Sequence, residues 1–139
     1  MEKQKIFISI CLVLVLAAMP FMTACSAPTE ETPASPAIKV GIILPLTGPP
    51  AAMGIGGQQA LEVYFNYINE KGGIKSLDGA KLEWEVVDST ALPDTGVSQA
   101  ERLITKDKID VLIGCYQSTV TLPVSTVCDK YKVPMISFA

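Results

Sequence analysis

Four short apolar runs separated by segments of helical spacing constrain this chain more than any other feature. Ile38-Lys-Val-Gly-Ile-Ile-Leu-Pro45 is apolar almost throughout, the pattern of a strand covered on both faces. Lys81–Val87 alternates Leu82, Trp84 and Val86 with Glu83 and Glu85, the pattern of a strand with one wetter face, near a sheet edge, and Asp88 ends it. Asp110–Gly114 and Val133–Ala139 read as a third and a fourth strand.

Between the strands the period changes. A glycine-rich turn, Thr47–Gly57, precedes a helix with Leu61, Tyr64, Phe65 and Ile68 on one face, stopped by Gly72 and Gly73. A second helix starts at Pro93-Asp-Thr95 and buries Val97, Ala100, Leu103 and Ile104. A third carries Val120, Val124, Val127, Cys128 and Tyr131, with Pro123 tolerated in its first turn. Strands alternating with helices through short turns imply right-handed crossovers, hence an α/β fold with a parallel sheet and helices on both faces.

Sheets of this kind bind ligands outside the carboxyl ends of their strands, where the strand order reverses. A spatial order 2-1-3-4 puts the reversal between the first and third strands. The sequence there is Val111-Leu-Ile-Gly-Cys-Tyr-Gln-Ser-Thr119, an apolar strand that turns abruptly polar. Ser118 or Thr119 fits the N-cap of the third helix, worth about 1 kcal/mol. The same helix end can also receive an anion such as a carboxylate on its free amides, and the two roles are compatible.

Several chemistries are disfavoured. Histidine is absent, which excludes a histidine-based triad and histidine-ligated metal in this sequence. The net charge is −3, or −4 once residues 1–24 with Glu2, Lys3 and Lys5 are removed, which argues against nucleic acid as a partner. A Rossmann-type dinucleotide enzyme is a distant alternative. From Gly54 the chain reads Gly-Ile-Gly-Gly-Gln-Gln, with glutamine at the third required glycine, and Asp88 lies too far on for the ribose contact. No enzyme activity, cofactor or metal is expected.

The amino terminus has a separate logic. Met1–Lys5 is charged and Ile6–Met19 apolar, an export signal too short to span a bilayer comfortably. Phe21-Met-Thr-Ala-Cys25 resembles the lipobox of bacterial lipoproteins, in which the cysteine is cut free and lipidated, with Met22 where leucine is usual. An ordinary small-residue cleavage site and an uncleaved anchor are the alternatives. The expected organisation is a lipoprotein signal over 1–24, a flexible Pro/Ser/Thr-rich tether over 25–37 and a folded unit over 38–139. Of the remaining cysteines, Cys115 closes a strand and Cys128 lies about nine residues into the next helix, roughly 13 Å along its axis. That separation predicts two buried free thiols in place of a disulfide, which needs alpha carbons within about 7 Å.

Five stretches in order carry a resemblance: Ile38–Gly48, the helix end Ile68-Asn-Glu-Lys-Gly-Gly-Ile74, Lys81–Asp88, Val111–Gly114 with Ser118-Thr119, and Val133-Pro-Met-Ile-Ser137. They resemble the first lobe of type I periplasmic binding proteins, nearest to the leucine/isoleucine/valine-binding group that feeds ABC importers. The resemblance implies an extracytoplasmic receptor that closes two lobes over an amino acid or other small carboxylate and docks on a membrane permease. A sensor of amides, urea or similar solutes is the alternative. It further implies that Ser118, Thr119 and Ala139 hold the solute's carboxylate and ammonium, while Met53, Tyr116 and Gln117 line its side-chain pocket. Some relatives join the positions of Ala91 and Gln117 by a disulfide, which these residues cannot form, and Met53 stands where an aromatic is frequent. The sequence breaks off within the first lobe, so the 139-residue chain alone is expected to bind solute weakly or not at all.

Overall fold

The structure is a computed structural model that describes residues 35–138. Residues 1–34, including Cys25, and Ala139 lie outside the described residues, so the signal and lipidation expectations and the site role of Ala139 fall beyond it.

The element order is β1 (Ile38–Leu44), α1 (Ala51–Glu70), a 3-10 turn (Lys75–Leu77), β2 (Leu82–Asp88), α2 (Pro93–Arg102), a π-helical turn (Leu103–Asp107), β3 (Val111–Gly114), α3 (Ser118–Tyr131) and β4 (Met135–Ser137). The strands form one sheet in the order β2-β1-β3-β4, and every pairing is parallel. β1, the most apolar run, therefore sits between β2 and β3, and Ile42 and Ile43 are fully buried. β2 is an edge strand, as its alternation implies.

The sheet separates two cores. On one face Leu103, Ile104, Val120, Val124, Val127 and Cys128 from the α2 and α3 side pack on Ile43, Val87 and Leu112. On the other, α1 contributes Phe65, Leu61 and Ile68 against Val40, Ile42, Leu44 and Leu82. Trp84 meets Phe65 edge to face, with ring centroids 5.4 Å apart. Two residues assigned to buried stripes lie outside them. Tyr64 is 60% exposed, and Tyr131 is 37% exposed with the Lys130 ammonium 4.7 Å from its ring centroid. On and just after β4, Ile136 and Phe138 are about half exposed.

The glycine-rich segment corrects the sequence reading. It is helical from Ala51 onward, so Gly54, Gly56 and Gly57 belong to the first turns of α1 and do not form a loop. A Cβ on Gly54 would lie 1.9 Å from the Pro45 carbonyl oxygen, so glycine is needed for the helix to cross the end of β1 closely. This glycine answers a packing contact.

Cys115 and Cys128 are both free and buried in one core, in agreement with the helical spacing. Burial, with a smaller contribution from Cys128, pushes the Cys115 thiol up to about 12, and burial raises Cys128 as well. Thiolates are the reactive form. Neither cysteine is expected to be alkylated by iodoacetamide at pH 8 in the native protein, and both should be modified in denaturant, as read by peptide mass spectrometry. Complete modification of the native protein would contradict this packing.

Candidate functional site

The carboxyl edge of the sheet is built from three turns. The first leaves β1 at Pro45–Pro50, the second leaves β2 at Ser89–Leu92, and the third leaves β3 at Cys115–Gln117. Left-handed backbone recurs along this edge at Gly48, Thr90, Ala91, Gly114 and Cys115. Such conformations are costly for non-glycine residues and collect where surrounding structure fixes a binding geometry.

The third turn is the most constrained. Gly114 has φ 132° and Cys115 φ 59°, while the Cys115 amide still donates to the Ile43 carbonyl at 2.7 Å. The chain thus leaves the sheet sharply at its last ladder bond. The Thr121 hydroxyl then donates toward the Cys115 carbonyl (2.7 Å) and the Gln117 carbonyl (3.0 Å), tying α3 back to the turn.

The capping expectation is not met. The N-cap is Gln117, in extended backbone at φ −102° and ψ 130°, and no side chain caps the helix. Ser118 and Thr119 occupy the first two helical positions, too far into the turn for their hydroxyls to reach the amides a cap would satisfy. The Val120 and Thr121 amides both donate to the Gln117 carbonyl at 2.9 Å. The Ser118 and Thr119 amides have no backbone acceptor among the described residues, and both residues are exposed. The end of α3 thus presents two amides and two hydroxyls to solvent, at the point where the strand order reverses.

Beside it lies an open groove of about 430 Å³ between α1 and the ends of β1, β3 and β4. Met53 and Tyr116, which the resemblance assigns to the side-chain pocket, both line this groove. So do Leu44, Leu61 and Phe138, which the sequence reading did not assign to a site. Gly56, Gly57, Ala52 and Ala60 form its small-residue wall on α1. Gln117 is half-buried and does not line the groove; its side-chain oxygen is buried without a hydrogen-bond partner. The groove is thus predominantly apolar, next to a polar helix end that attracts anions.

Sequence reasoning also missed how the first turn is held. Asp88 ends β2 and accepts hydrogen bonds from the Leu46 amide and the Thr47 hydroxyl, 2.8 and 2.6 Å long. An acidic residue at a strand end was visible, but its partners lie some 40 residues earlier, across the sheet. Among the described residues no helix is long and apolar enough to cross a membrane.

Comparison with known proteins agrees with this fold. A family model described as periplasmic binding protein matches residues 37–139. The Leu/Ile/Val-binding protein homolog 3 of Brucella melitensis is 36% identical over 100 residues, which are 72% of this chain and 26% of that protein. The Leu/Ile/Val-binding protein BraC3 of Rhizobium johnstonii is 37% identical over the same length and shares. Among solved structures, the branched-chain amino acid transporter substrate-binding protein LivJ of Streptococcus pneumoniae, in complex with isoleucine, is 29% identical. It superposes with a TM-score of 0.68 over 73% of this chain and 28% of its own. An ABC transporter solute-binding protein of Rhodopseudomonas palustris, in complex with 3,4-dihydroxybenzoic acid, is 32% identical with a TM-score of 0.65, over 74% of this chain and 27% of its own. The chain spans about a quarter of the length of the curated relatives it matches. Its parallel sheet in the order 2-1-3-4, its polar helix end at the reversal and the family match over 37–139 lead to one assignment: the chain belongs to the periplasmic binding protein family.

Proposed function

We propose that this chain is the amino-terminal part of an exported solute receptor that delivers an amino acid or another small carboxylate to an ABC importer. Residues 1–24 serve as a lipoprotein signal, Cys25 as the lipid attachment point, 25–37 as the tether and 38–139 as part of the first ligand-binding lobe. The observation that carries the reading is the bare end of α3, whose Ser118 and Thr119 amides and hydroxyls face solvent beside an apolar groove. A carboxylate fits that helix end, because the orphan amides and the helix dipole both favour negative charge. An apolar side chain or ring fits the groove, against Met53 and Tyr116. By family position Ala139 is assigned the solute's ammonium and Gln117 a place by its side-chain pocket. The solutes named with two solved relatives, isoleucine and 3,4-dihydroxybenzoic acid, each carry a carboxylate.

The test is Ser118→Ala in the full-length gene product. Loss of one hydrogen bond to a charged group is expected to weaken carboxylate solutes by about 1 to 3 kcal/mol, roughly 5- to 150-fold. Calorimetric titration with L-isoleucine and 3,4-dihydroxybenzoate measures this. Unchanged affinity for a solute that the wild-type protein binds would remove Ser118 from the site.

A further inference from the structure

Asp88 joins two of the three turns at the carboxyl edge of the sheet through one carboxylate. Its Oδ1 accepts from the Leu46 amide at 2.8 Å and the Thr90 amide at 2.7 Å, and its Oδ2 accepts from the Thr47 hydroxyl at 2.6 Å. The turn leaving β1 and the turn leaving β2 are thereby held by a single side chain. Partial burial pushes the Asp88 carboxyl up, but hydrogen bonds from the Thr47 hydroxyl and from the Leu46, Thr90 and Thr47 amides outweigh it and hold the group below its ordinary range. The carboxylate is therefore ionised at neutral pH, and hydrogen bonds to an ionised acceptor are the stronger kind.

Pro45 is buried, Leu46 packs on the core and the Ala51 amide donates to the Gly48 carbonyl at 3.1 Å, but the tip of the turn lacks such packing. Thr47, Gly48 and Pro49 are exposed, and Gly48 adopts φ 79°. Exposed segments with few packed contacts open easily unless specific bonds restrain them. The turn runs directly into the first turn of α1, which carries Met53 into the groove. At the far side of that turn the close approach of Gly54 to the Pro45 carbonyl leaves no slack for a shift to be absorbed.

We propose that Asp88 is a positioning residue, which sets how the turn after β1, and with it Met53, meets the groove without itself touching solute. This rests on the reading of the groove and the α3 end as the solute site. A residue that only stabilised the fold would disturb both cores alike, whereas a positioning residue disturbs Met53 and spares Met135, which packs against the core on the opposite face.

The experiment compares Asp88→Asn and Thr47→Val with wild type in the full-length protein carrying 13C-methyl methionine, the signals being assigned with Met53→Leu and Met135→Leu. Asp88→Asn is expected to shift or broaden the Met53 methyl resonance, to leave Met135 in place and to weaken whichever of L-isoleucine or 3,4-dihydroxybenzoate the wild type binds by about tenfold, the equivalent of one charge-assisted bond. Thr47→Val should act in the same direction to a smaller extent, and it decides the matter if Asp88→Asn does not fold. An unmoved Met53 signal, or equal displacement of Met53 and Met135, would overturn the proposal. Failure of the wild type to take either probe would count against the receptor reading instead, because the methyl signals report on Asp88 without solute.

Discussion

Gly114→Ala is expected to destabilise the protein by about 3 kcal/mol or more, a large fraction of the roughly 5–15 kcal/mol that holds a typical domain folded. Two penalties combine at this position. The backbone has φ 132°, which L side chains rarely adopt, and an added Cβ would lie 2.1 Å from the Ile43 carbonyl oxygen. That oxygen cannot retreat, because it accepts the Cys115 amide at 2.7 Å in the middle of the sheet. Relief requires parting β1 from β3 or abandoning the turn that presents Tyr116 and Ser118. Gly56→Ala is the control: nothing lies within 4 Å of its Cβ position, it sits inside α1, and alanine there should stabilise by about 0.5–1 kcal/mol. Urea midpoints of the two variants should move in opposite directions. Equal shifts would contradict the packing at Gly114.

Cys25→Ala is expected to convert a membrane-bound protein into a released one. Covalent lipid supplies about 0.8 kcal/mol per buried methylene, and stable anchoring takes more than one acyl chain or a second attraction. The sequence after Cys25 offers no second attraction, since Ser26–Pro36 contains two glutamates and no basic residue. Loss of the cysteine should therefore abolish labelling by radioactive fatty acid and move the protein to the soluble fraction. Persistent labelling would contradict lipidation at Cys25. Membrane retention without label would point to Ile6–Met19 as an uncleaved anchor.

Much of the architecture was legible because it rests on local pattern. The apolar run Ile38–Pro45 reads as a central strand because both its faces are buried, and the Glu83/Glu85 alternation reads as an edge because one face is wet. Short connections of fixed handedness then leave few orders, and 2-1-3-4 is the one found. The departures have tertiary causes. Gly54 looks like part of a loop until the Pro45 carbonyl is seen against it. Ser118 looks like a cap because its residue type favours one, yet the extended backbone of Gln117 moves the helix start one residue earlier in the chain. The π-helical turn Leu103–Asp107 itself buries Leu103 and Ile104, and Lys108 ends it in left-handed backbone at φ 58°. Met53 and Tyr116 came from resemblance and share a groove, whereas Phe138, Leu44 and the Asp88–Thr47 pair emerge only when separate strand ends are brought together.

The most direct measurement is a titration of the 15N-labelled full-length protein with L-isoleucine and with 3,4-dihydroxybenzoate, following the backbone amides of Ser118 and Thr119. Saturable binding of at least one solute, with both amide protons moving downfield as they donate to its carboxylate, is the predicted result. Saturable binding that leaves those two amides unmoved would contradict the assignment of the α3 end as the carboxylate site.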